Sequence, residues 1–236
     1  MSTVDSDSNI GILIPAYNAE PFIGPVIQKF KSFGLPIIVI NDGSTDHTLD
    51  KIQDLGITEI YSHEKNRGKG AALRTGFQKA LEAGWDACIT IDADGQHAAT
   101  DIPKFLEAHL DYPHALLLGT RSLRKMPWAT RIHTLLGTFF LSLRSRHFLT
   151  DTQCGYRLYP RLVLEQIHPR FDRYEMESEV LCIAGKKRIP IIKIPVETIY
   201  RPEISKRRHF RPWRDSWRII FMFFLTFKSN ELKKSS

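Results

Sequence analysis

The sequence is poor in cysteine and in long apolar runs. Its three cysteines, Cys88, Cys154 and Cys182, are an odd number and form no CxxC pair. They indicate neither a disulfide framework nor a zinc site, and a reducing compartment fits best. No segment reaches the ~18 uninterrupted apolar residues of a membrane span, and the opening residues, MSTVDSDSNI, lack the basic and apolar regions of a signal peptide. We therefore expect neither a disulfide-rich secreted domain nor an integral membrane protein.

Acidic residues are scarce in the second half of the chain. Residues 1–120 hold 9 Lys and Arg against 16 Asp and Glu, a charge of −7, whereas residues 121–200 carry +7 and residues 201–236 another +7. This asymmetry predicts that the C-terminal half faces phosphate, a lipid surface or nucleic acid. The alternative is a solvated basic surface, but these charges alternate with aromatic residues, which favours a binding role.

The first 120 residues alternate short apolar runs with helical patterns. Each run is rich in Ile, Val or Leu and is bounded by Gly, Pro, Asp or Asn, as buried strands of a mainly parallel sheet are. The runs are residues 10–15, 36–42, 58–64, 87–94 and 115–121. Two further sets of apolar residues have helical spacing. They are Leu73, Phe77, Ala80 and Leu81, and Ile102, Phe105, Leu106 and Leu110. The pattern predicts an α/β fold, a mainly parallel sheet with flanking helices.

The length of 236 residues and the hydrophobic content of 42% suit one sizeable core. We predict a flexible N-terminus at residues 1–9, one α/β domain at residues 10–200, and a basic and aromatic segment at residues 201–236.

Two aspartates separated by one residue follow the fourth apolar run. In open α/β sheets, ligands collect outside the carboxyl ends of the strands. Two carboxylates at i and i+2 of an extended chain aim at one face, so Asp92 and Asp94 predict a site for Mg²⁺ or Mn²⁺. The alternative is a pair of capping residues, since Asp94-Gly95 is a good turn dipeptide and Asp101 precedes the next helix.

Six motifs favour the metal site. They are ILIPAYNAE (12–20), IVINDGSTDHT (38–48), NRGKGAALRTGF (66–77), ITIDADGQH (89–97), LLGTR (117–121) and DTQCGYRLYP (151–160). In this order they closely resemble glycosyltransferase family 2, nearest to its dolichyl-phosphate mannose synthase-like and polyprenyl-phosphate sugar synthase-like members. The resemblance implies the GT-A fold, which is a Rossmann-like sandwich, and a nucleoside-diphosphate sugar as donor.

The resemblance also implies residues that hold the donor. The substrate-binding residues expected from it are Pro15, Tyr17, Asn18, Glu20, Asp42, Gly43, Lys69 and Asp92. Asp42 resembles the aspartate that recognises the base. Asp94 resembles the direct metal ligand, Asp92 a contact to the ribose or the metal shell, and Gln96 a further residue facing the metal. The Mg²⁺ or Mn²⁺ ion would neutralise charge on the departing diphosphate while an acceptor oxygen attacks the anomeric carbon from the opposite side, with inversion.

The acceptor decides whether a general base is needed. A phosphate monoester is largely ionised at neutral pH, with a second pKa of ~6, and needs positioning by arginine, whereas a sugar hydroxyl needs a base. Arg121, Arg131 and Arg157 are the candidates for gripping phosphate, with a surface salt bridge as the alternative for each. Asp151 is expected either to act as the base or to orient Arg157.

Residues further along the chain extend the predicted acceptor site. Glu175, Glu177 and Glu179 are spaced along a predicted helix, and the alternative for them is a solvated or arginine-paired face. Glu177 is the residue to test after Asp151. Lys206, in the basic C-terminal segment, is expected to contact the acceptor or the pyrophosphate, or else anionic headgroups.

Two amphipathic helices are predicted in the basic half, at residues 131–149 and 213–227. Both have the basic and aromatic character of helices lying in a membrane interface, and the alternative is core packing.

The preferred function is sugar transfer to a polyprenyl phosphate, dolichyl or undecaprenyl, by a cytoplasmic protein bound peripherally to the cytoplasmic face of a membrane. One alternative is transfer to a hydroxyl of a lipid or glycan. A nucleic-acid-binding protein is the other, but the acidic first half and the lack of a reader motif argue against nucleic acid as a partner.

Overall fold

A computed structural model describes residues 9–122 and 151–199, together with Thr138, Leu141, Ser142 and Leu149. Within these residues, seven strands form one sheet. They are β1 (Ile10–Ala16), β2 (Ile37–Asn41), β3 (Glu59–Ser62), β4 (Ala87–Thr90), β5 (Leu116–Arg121), β6 (Arg157–Pro160) and β7 (Ile191–Val196). The helices are α1 (Glu20–Lys31), α2 (Thr48–Asp54), α3 (Lys69–Glu82), α4 (Ile102–Asp111), α5 (Arg161–Gln166) and α6 (Glu175–Lys186), with a 3₁₀ turn at Ala99–Asp101.

The sheet is mainly parallel, and its order is β3-β2-β1-β4-β6-β5-β7. Strand β1 pairs in parallel with β2 and β4, β2 with β3, and β5 with β7. Strand β6 runs antiparallel to both β4 and β5. Its first residue, Arg157, pairs with Thr90 at the end of β4, so the loop entering β6 lies beside the residues that leave β4.

Apolar side chains cover both faces of the sheet, as expected for parallel strands. All five residues of β2 are buried. On one face, Phe30 of α1 and Phe105 of α4 pack with β1 residues. On the other, Leu73 of α3 and Val180 of α6 pack with β2 and β5 residues. The result is a sheet between two helical layers, and it confirms the predicted α/β fold with a mainly parallel sheet and flanking helices.

The five predicted strands are present: β1 extends one residue beyond its predicted run, the other four are shorter than predicted, and two details differ. The fourth run ends as a strand at Thr90, so Asp92 and Asp94 belong to the following loop. On α4, Ile102 and Phe105 are buried as predicted, but Leu110 is 49% exposed and His109 is buried in its place. Strands β6 and β7 were not among the predicted strands.

Several predictions concern residues outside the described part of the chain. They are the N-terminus at residues 1–8, the segment at residues 201–236 with its helix at 213–227, and the residues Arg131 and Lys206. Of the predicted helix at 131–149, Thr138, Leu141, Ser142 and Leu149 are described. The two leucines are buried against the core layer that contains Leu118 and Val163, so at these two positions the core-packing alternative holds. In the described ranges, no helix has the length and apolar character needed to cross a membrane.

Candidate active site

Polar residues collect where β1, β2, β4 and β5 end and where β6 begins. Because β6 is antiparallel, its amino end shares this edge with the carboxyl ends of the parallel strands. The hydroxyl group of Thr90 donates to the carbonyl oxygen of Gly155 at 2.8 Å, which joins the end of β4 to the loop before β6. The fold thus brings most of the predicted site residues to one edge.

The loops after β1 and β2 are tied together through their side chains. Asn18 has a left-handed backbone, with φ +46°, which asparagine tolerates better than most residues. Its backbone N–H donates to Ser44 Oγ at 3.0 Å, and its Oδ1 accepts from Thr45 N–H at 2.8 Å. Glu20, the first residue of α1, forms an ion pair of 3.5 Å with Lys51. Pro15 lies in β1, and Tyr17 follows that strand and is partly exposed.

Asp42 is buried and accepts three hydrogen bonds. Its Oδ1 accepts from Arg67 N–H at 2.9 Å and contacts His63 Nδ1 at 2.7 Å, and its Oδ2 accepts from Gly68 N–H at 2.8 Å. The other ring nitrogen of His63 contacts Thr75 Oγ1 at 3.0 Å. Asp42 therefore fixes the loop that leads into α3, and its predicted contact to the base stays a prediction. Gly43, with φ +67°, packs directly on the backbone of the same loop, at Lys65.

Lys69 lies between two carboxylates at the first turn of α3. Its Nζ is 2.6 Å from Asp92 Oδ1 and 3.1 Å from both carboxylate oxygens of Glu177. Burial alone would lower the pKa of Lys69, but Asp92 and Glu177 outweigh burial and raise it. Lys69 is therefore a fixed positive charge at the edge of the sheet.

Asp92 is engaged on both of its oxygens. Oδ1 contacts Lys69 and Oδ2 lies 3.1 Å from His97 Nε2. Burial would raise the pKa of Asp92, but Lys69 and His97 hold it far below the usual range. The His97 ring packs on Tyr156 with 5.0 Å between ring centroids. The structure thus assigns Asp92 to holding Lys69 and His97.

Asp94 has different surroundings. Its Oδ1 accepts a hydrogen bond from Gln96 N–H at 2.9 Å. Burial raises the pKa of Asp94, and the negative charge of Asp92 raises it further. A divalent cation would relieve both effects.

The donor set fits a hard cation. Mg²⁺ is usually held by one or two protein carboxylates and by substrate phosphate oxygens, and Asp94 with the amide oxygen of Gln96 supplies ligands of that kind. In the described part of the chain, no group of three or more His, Cys, Asp or Glu side chains is placed to hold a metal ion. The residues therefore suit a cation that a bound diphosphate helps to hold.

Asp151 is completely buried and binds Arg121, not Arg157. Its Oδ2 accepts from Arg121 Nε at 2.6 Å and its Oδ1 from Arg121 Nη2 at 3.0 Å. The backbone N–H groups of Arg121 and Gln153 also donate to it, at 3.2 and 3.1 Å. The expectation that Asp151 orients Arg157 is therefore wrong. A general base needs access to the acceptor, which a buried carboxylate with four donors lacks.

Arg157 is fully buried inside the protein, so the geometry also corrects its predicted role as a phosphate ligand. Its guanidinium donates to the carbonyl oxygens of Cys154, Thr152 and Glu177 at 2.9, 2.8 and 2.7 Å. These three bonds tie the loop before β6 to α6. Because the Arg157 guanidinium donates to these buried carbonyl oxygens, it anchors the site and does not bind a substrate.

The three glutamates of α6 are buried, so the solvated alternative is wrong for them. Glu177 binds Lys69. Glu179 accepts from the backbone N–H groups of Arg170 and Phe171 at 2.7 and 3.1 Å. Only Glu177 of these two reaches the edge where Asp92 lies.

The site contains residues to which sequence reasoning assigned no role. His97 and Gly155 lie within the motifs ITIDADGQH and DTQCGYRLYP, and His63 lies just after β3. For His97 and Gly155 the available signal was the motif that contains each residue, whereas His63 lies outside all six motifs.

The chain is similar in sequence to known proteins. A family model described as Glycosyl transferase family 2 matches residues 11–167. A protein of Methanococcus voltae, UDP-N-acetylglucosamine--dolichyl-phosphate N-acetylglucosaminyltransferase, is 32% identical over 83% of this chain and 87% of its own length. A dolichyl-phosphate beta-glucosyltransferase of Trichomonas vaginalis is 28% identical over 83% of this chain and 66% of its own length.

A solved structure has the same fold. It is the glucosyl-3-phosphoglycerate synthase of Mycobacterium tuberculosis, in complex with Mn²⁺, uridine diphosphate and glucosyl-3-phosphoglycerate. The two match with a TM-score of 0.71 at 20% identity, over 94% of this chain and 81% of the other. This likeness confirms the predicted GT-A fold.

Proposed function

Because the chain belongs to glycosyl transferase family 2, we propose that it transfers a sugar from a nucleoside-diphosphate sugar to a polyprenyl phosphate. The family match also confirms the resemblance carried by the six motifs. The observation that carries the proposal is the juxtaposition of Lys69, Asp92 and Asp94 at the carboxyl edge of the sheet. A fixed ammonium and a carboxylate suited to a cation are what a diphosphate leaving group requires.

A divalent cation, Mg²⁺ or Mn²⁺, is part of this proposal. Asp94 and Gln96 would hold it, and Asp92, already bound to Lys69 and His97, would add negative charge nearby. Bound there, the metal would supply Lewis-acid stabilisation of the diphosphate charge. The Mn²⁺ in the synthase structure supports this choice of ion.

The chain's own residues account for the remaining requirements of the transfer. The acceptor oxygen forms a bond to the anomeric carbon while the bond to the diphosphate oxygen breaks, and the electron pair leaves with the diphosphate. Lys69 offers positive charge to that leaving group. Arg121, held in place by Asp151 at the end of β5, offers a positive group to the acceptor phosphate. Attack from the side opposite the diphosphate inverts the configuration.

A phosphate acceptor is consistent with the burial and the hydrogen bonds of Asp151. Its burial and four hydrogen bonds leave it unsuited to accept a proton from a hydroxyl, and a phosphate monoester is already ionised near neutral pH. The relatives named as dolichyl-phosphate transferases support the same acceptor class. We place the protein peripherally on the cytoplasmic face of a membrane, where such a lipid is presented, without nucleic acid as a partner. The basic charge of residues 121–236 supports contact with an anionic surface.

The test is transfer of radiolabelled sugar from UDP- and GDP-sugars, beginning with UDP-N-acetylglucosamine, to a short polyprenyl phosphate with Mg²⁺ or Mn²⁺. The proposal expects a lipid-extractable product that Asp94→Ala abolishes and that Asp111→Ala, an exposed control on α4, retains. Slow donor hydrolysis without lipid product would favour a hydroxyl acceptor on the same donor site. Absence of both donor binding and hydrolysis would contradict the proposal.

A further inference from the structure

Glu177 joins two parts of the protein that are far apart in sequence. It lies on α6 and is 5% exposed, yet both of its carboxylate oxygens are 3.1 Å from Lys69 Nζ on α3, 108 residues away. On its other side, the same ammonium group is 2.6 Å from Asp92 Oδ1. Lys69 is thus held by one carboxylate from the loop after β4 and one from α6.

The backbone at Glu177 is fixed independently of Lys69. Arg157 of β6 donates to the carbonyl oxygen of Glu177 at 2.7 Å. The start of α3 also packs on the start of α6, because a Cβ on Gly70 would lie 2.7 Å from both the Arg173 carbonyl oxygen and Met176 Cβ. Glu177 therefore projects its carboxylate from a rigid position.

The ammonium group of a lysine stays in one position only if rigidly held carboxylates bind it. Its ammonium sits on a flexible four-carbon stem, and ordering that stem costs rotamer entropy. Asp92 alone fixes the ammonium in one direction and is itself shared with His97. The two oxygens of Glu177 fix it in a second direction.

We propose that Glu177 is a positioning residue, which holds the Lys69 ammonium against Asp92 so that it meets the donor diphosphate. This inference rests on the proposed function and adds to it a residue of α6 that acts on donor binding through Lys69. Glu177 itself touches neither substrate nor the reacting atoms. Its removal leaves Lys69 charged but allows the ammonium to move.

The matched variants are Glu177→Gln and Glu179→Gln. Both residues are buried glutamates on α6, but the contacts of Glu179 among the described residues are to the backbone N–H groups of Arg170 and Phe171 and to the Arg170 side chain. Glu177→Gln is expected to raise the donor KM by roughly tenfold, the loss of about one charge-assisted hydrogen bond. The acceptor KM should change little, and Glu179→Gln should leave both KM values near wild type. Glu177→Asp keeps the charge, so its donor KM should rise less than that of Glu177→Gln. If Glu177→Gln does not fold, Glu177→Asp is compared with Glu179→Gln in its place.

A double-mutant cycle separates positioning from general loss of structure. If Glu177 acts through Lys69, Glu177→Gln adds no further rise in donor KM to Lys69→Met. Additive effects, or equal changes in Glu177→Gln and Glu179→Gln, would overturn the inference while leaving the proposed function intact. If the wild type transfers no sugar, the proposed function fails. The inference is then tested by measuring the affinity for UDP and GDP by calorimetry. In that assay it requires weaker binding in Glu177→Gln than in Glu179→Gln, and equal binding overturns it.

Discussion

Gly155 packs directly against the carboxylate of Asp92. A Cβ at position 155 would lie 2.5 Å from Asp92 Oδ2 and 2.7 Å from Oδ1. These are the two oxygens that contact His97 and Lys69. The absence of a side chain at residue 155 is therefore a condition for the whole charged cluster.

Gly155→Ala is expected to displace Asp92 and to impair sugar transfer more than stability. The added methyl group cannot share the space of the carboxylate, so the Asp92 contacts with Lys69 and His97 must lengthen. We expect kcat/KM to fall by at least about tenfold, equivalent to about 1.4 kcal/mol of transition-state stabilisation. Gly24→Ala is the control, since a Cβ there would have no atom within 4 Å in the described part of the chain apart from its own stretch of α1. Equal activity in the two variants would contradict this account of Asp92.

Removal of the metal or of its proposed ligand is expected to stop the reaction. Treatment with EDTA should abolish transfer, and added Mg²⁺ or Mn²⁺ should restore it. Asp94→Asn should lower kcat/KM by roughly a hundredfold or more, as expected for a metal contribution of several kcal/mol, and should weaken Mn²⁺ binding measured by electron paramagnetic resonance in the presence of UDP. Full activity after exhaustive chelation would rule out the metal proposal.

The edge of the sheet that carries the site could be predicted from sequence because its evidence is local. Runs of Ile, Val and Leu indicate strands, and the polar residues that follow Ala16, Asn41 and Thr90 mark their carboxyl ends. The edge of the buried face of α4 differs from the prediction by one residue. His109 is buried and Leu110 exposed, because a difference of one residue turns a side chain by about 100° around the helix.

Pairings between distant segments could not be predicted in the same way. Asp151 and Arg157 lie in one motif, DTQCGYRLYP, and one of the two expected roles of Asp151 is to orient Arg157, but Asp151 binds Arg121 across 30 residues. That choice depends on the antiparallel entry of β6 beside β4 and β5, a feature with no local sequence signal. Lys69 and Glu177 are also distant in sequence, and they meet because α3 packs on α6.

Asp151→Asn is expected to act through Arg121. The amide presents a donor where the carboxylate accepted from the guanidinium, so Arg121 loses its fixed orientation. If Arg121 grips the acceptor phosphate, Asp151→Asn and Arg121→Lys should both raise the acceptor KM more than the donor KM, and the shape of the pH–rate profile should not change. A general base would give another result: a collapse of kcat with loss of one limb of that profile. Steady-state kinetics between pH 6 and 9 distinguish the two outcomes.

Arg157→Met is expected to reduce stability severely. The substitution removes the buried guanidinium that donates to the carbonyl oxygens of Cys154, Thr152 and Glu177. We expect a loss of roughly 3 kcal/mol or more in the free energy of unfolding, which corresponds to a fall in Tm of about 6 °C or more for a protein of this size. Arg161→Met removes a half-exposed ion pair with Glu165 and should change Tm far less. Similar Tm values for both variants would show that Arg157 is not an anchor.

His109 predicts a loss of stability in mild acid. Burial lowers the pKa of His109 in the folded protein; the Asp86 charge opposes this shift and His114 adds to it. The unfolded chain therefore binds the proton more readily than the folded protein. Well above the unfolded pKa of about 6.5, His109 does not lower the free energy of unfolding; as pH falls through that value, it lowers it increasingly. In His109→Gln, the decrease in unfolding free energy between pH 7.5 and pH 5.5, measured by urea denaturation, should be smaller than in wild type. His114→Gln, at an exposed position, should keep most of the wild-type decrease. If His109→Gln keeps the full decrease, the acid sensitivity arises from other groups and the burial of a neutral His109 does not control it.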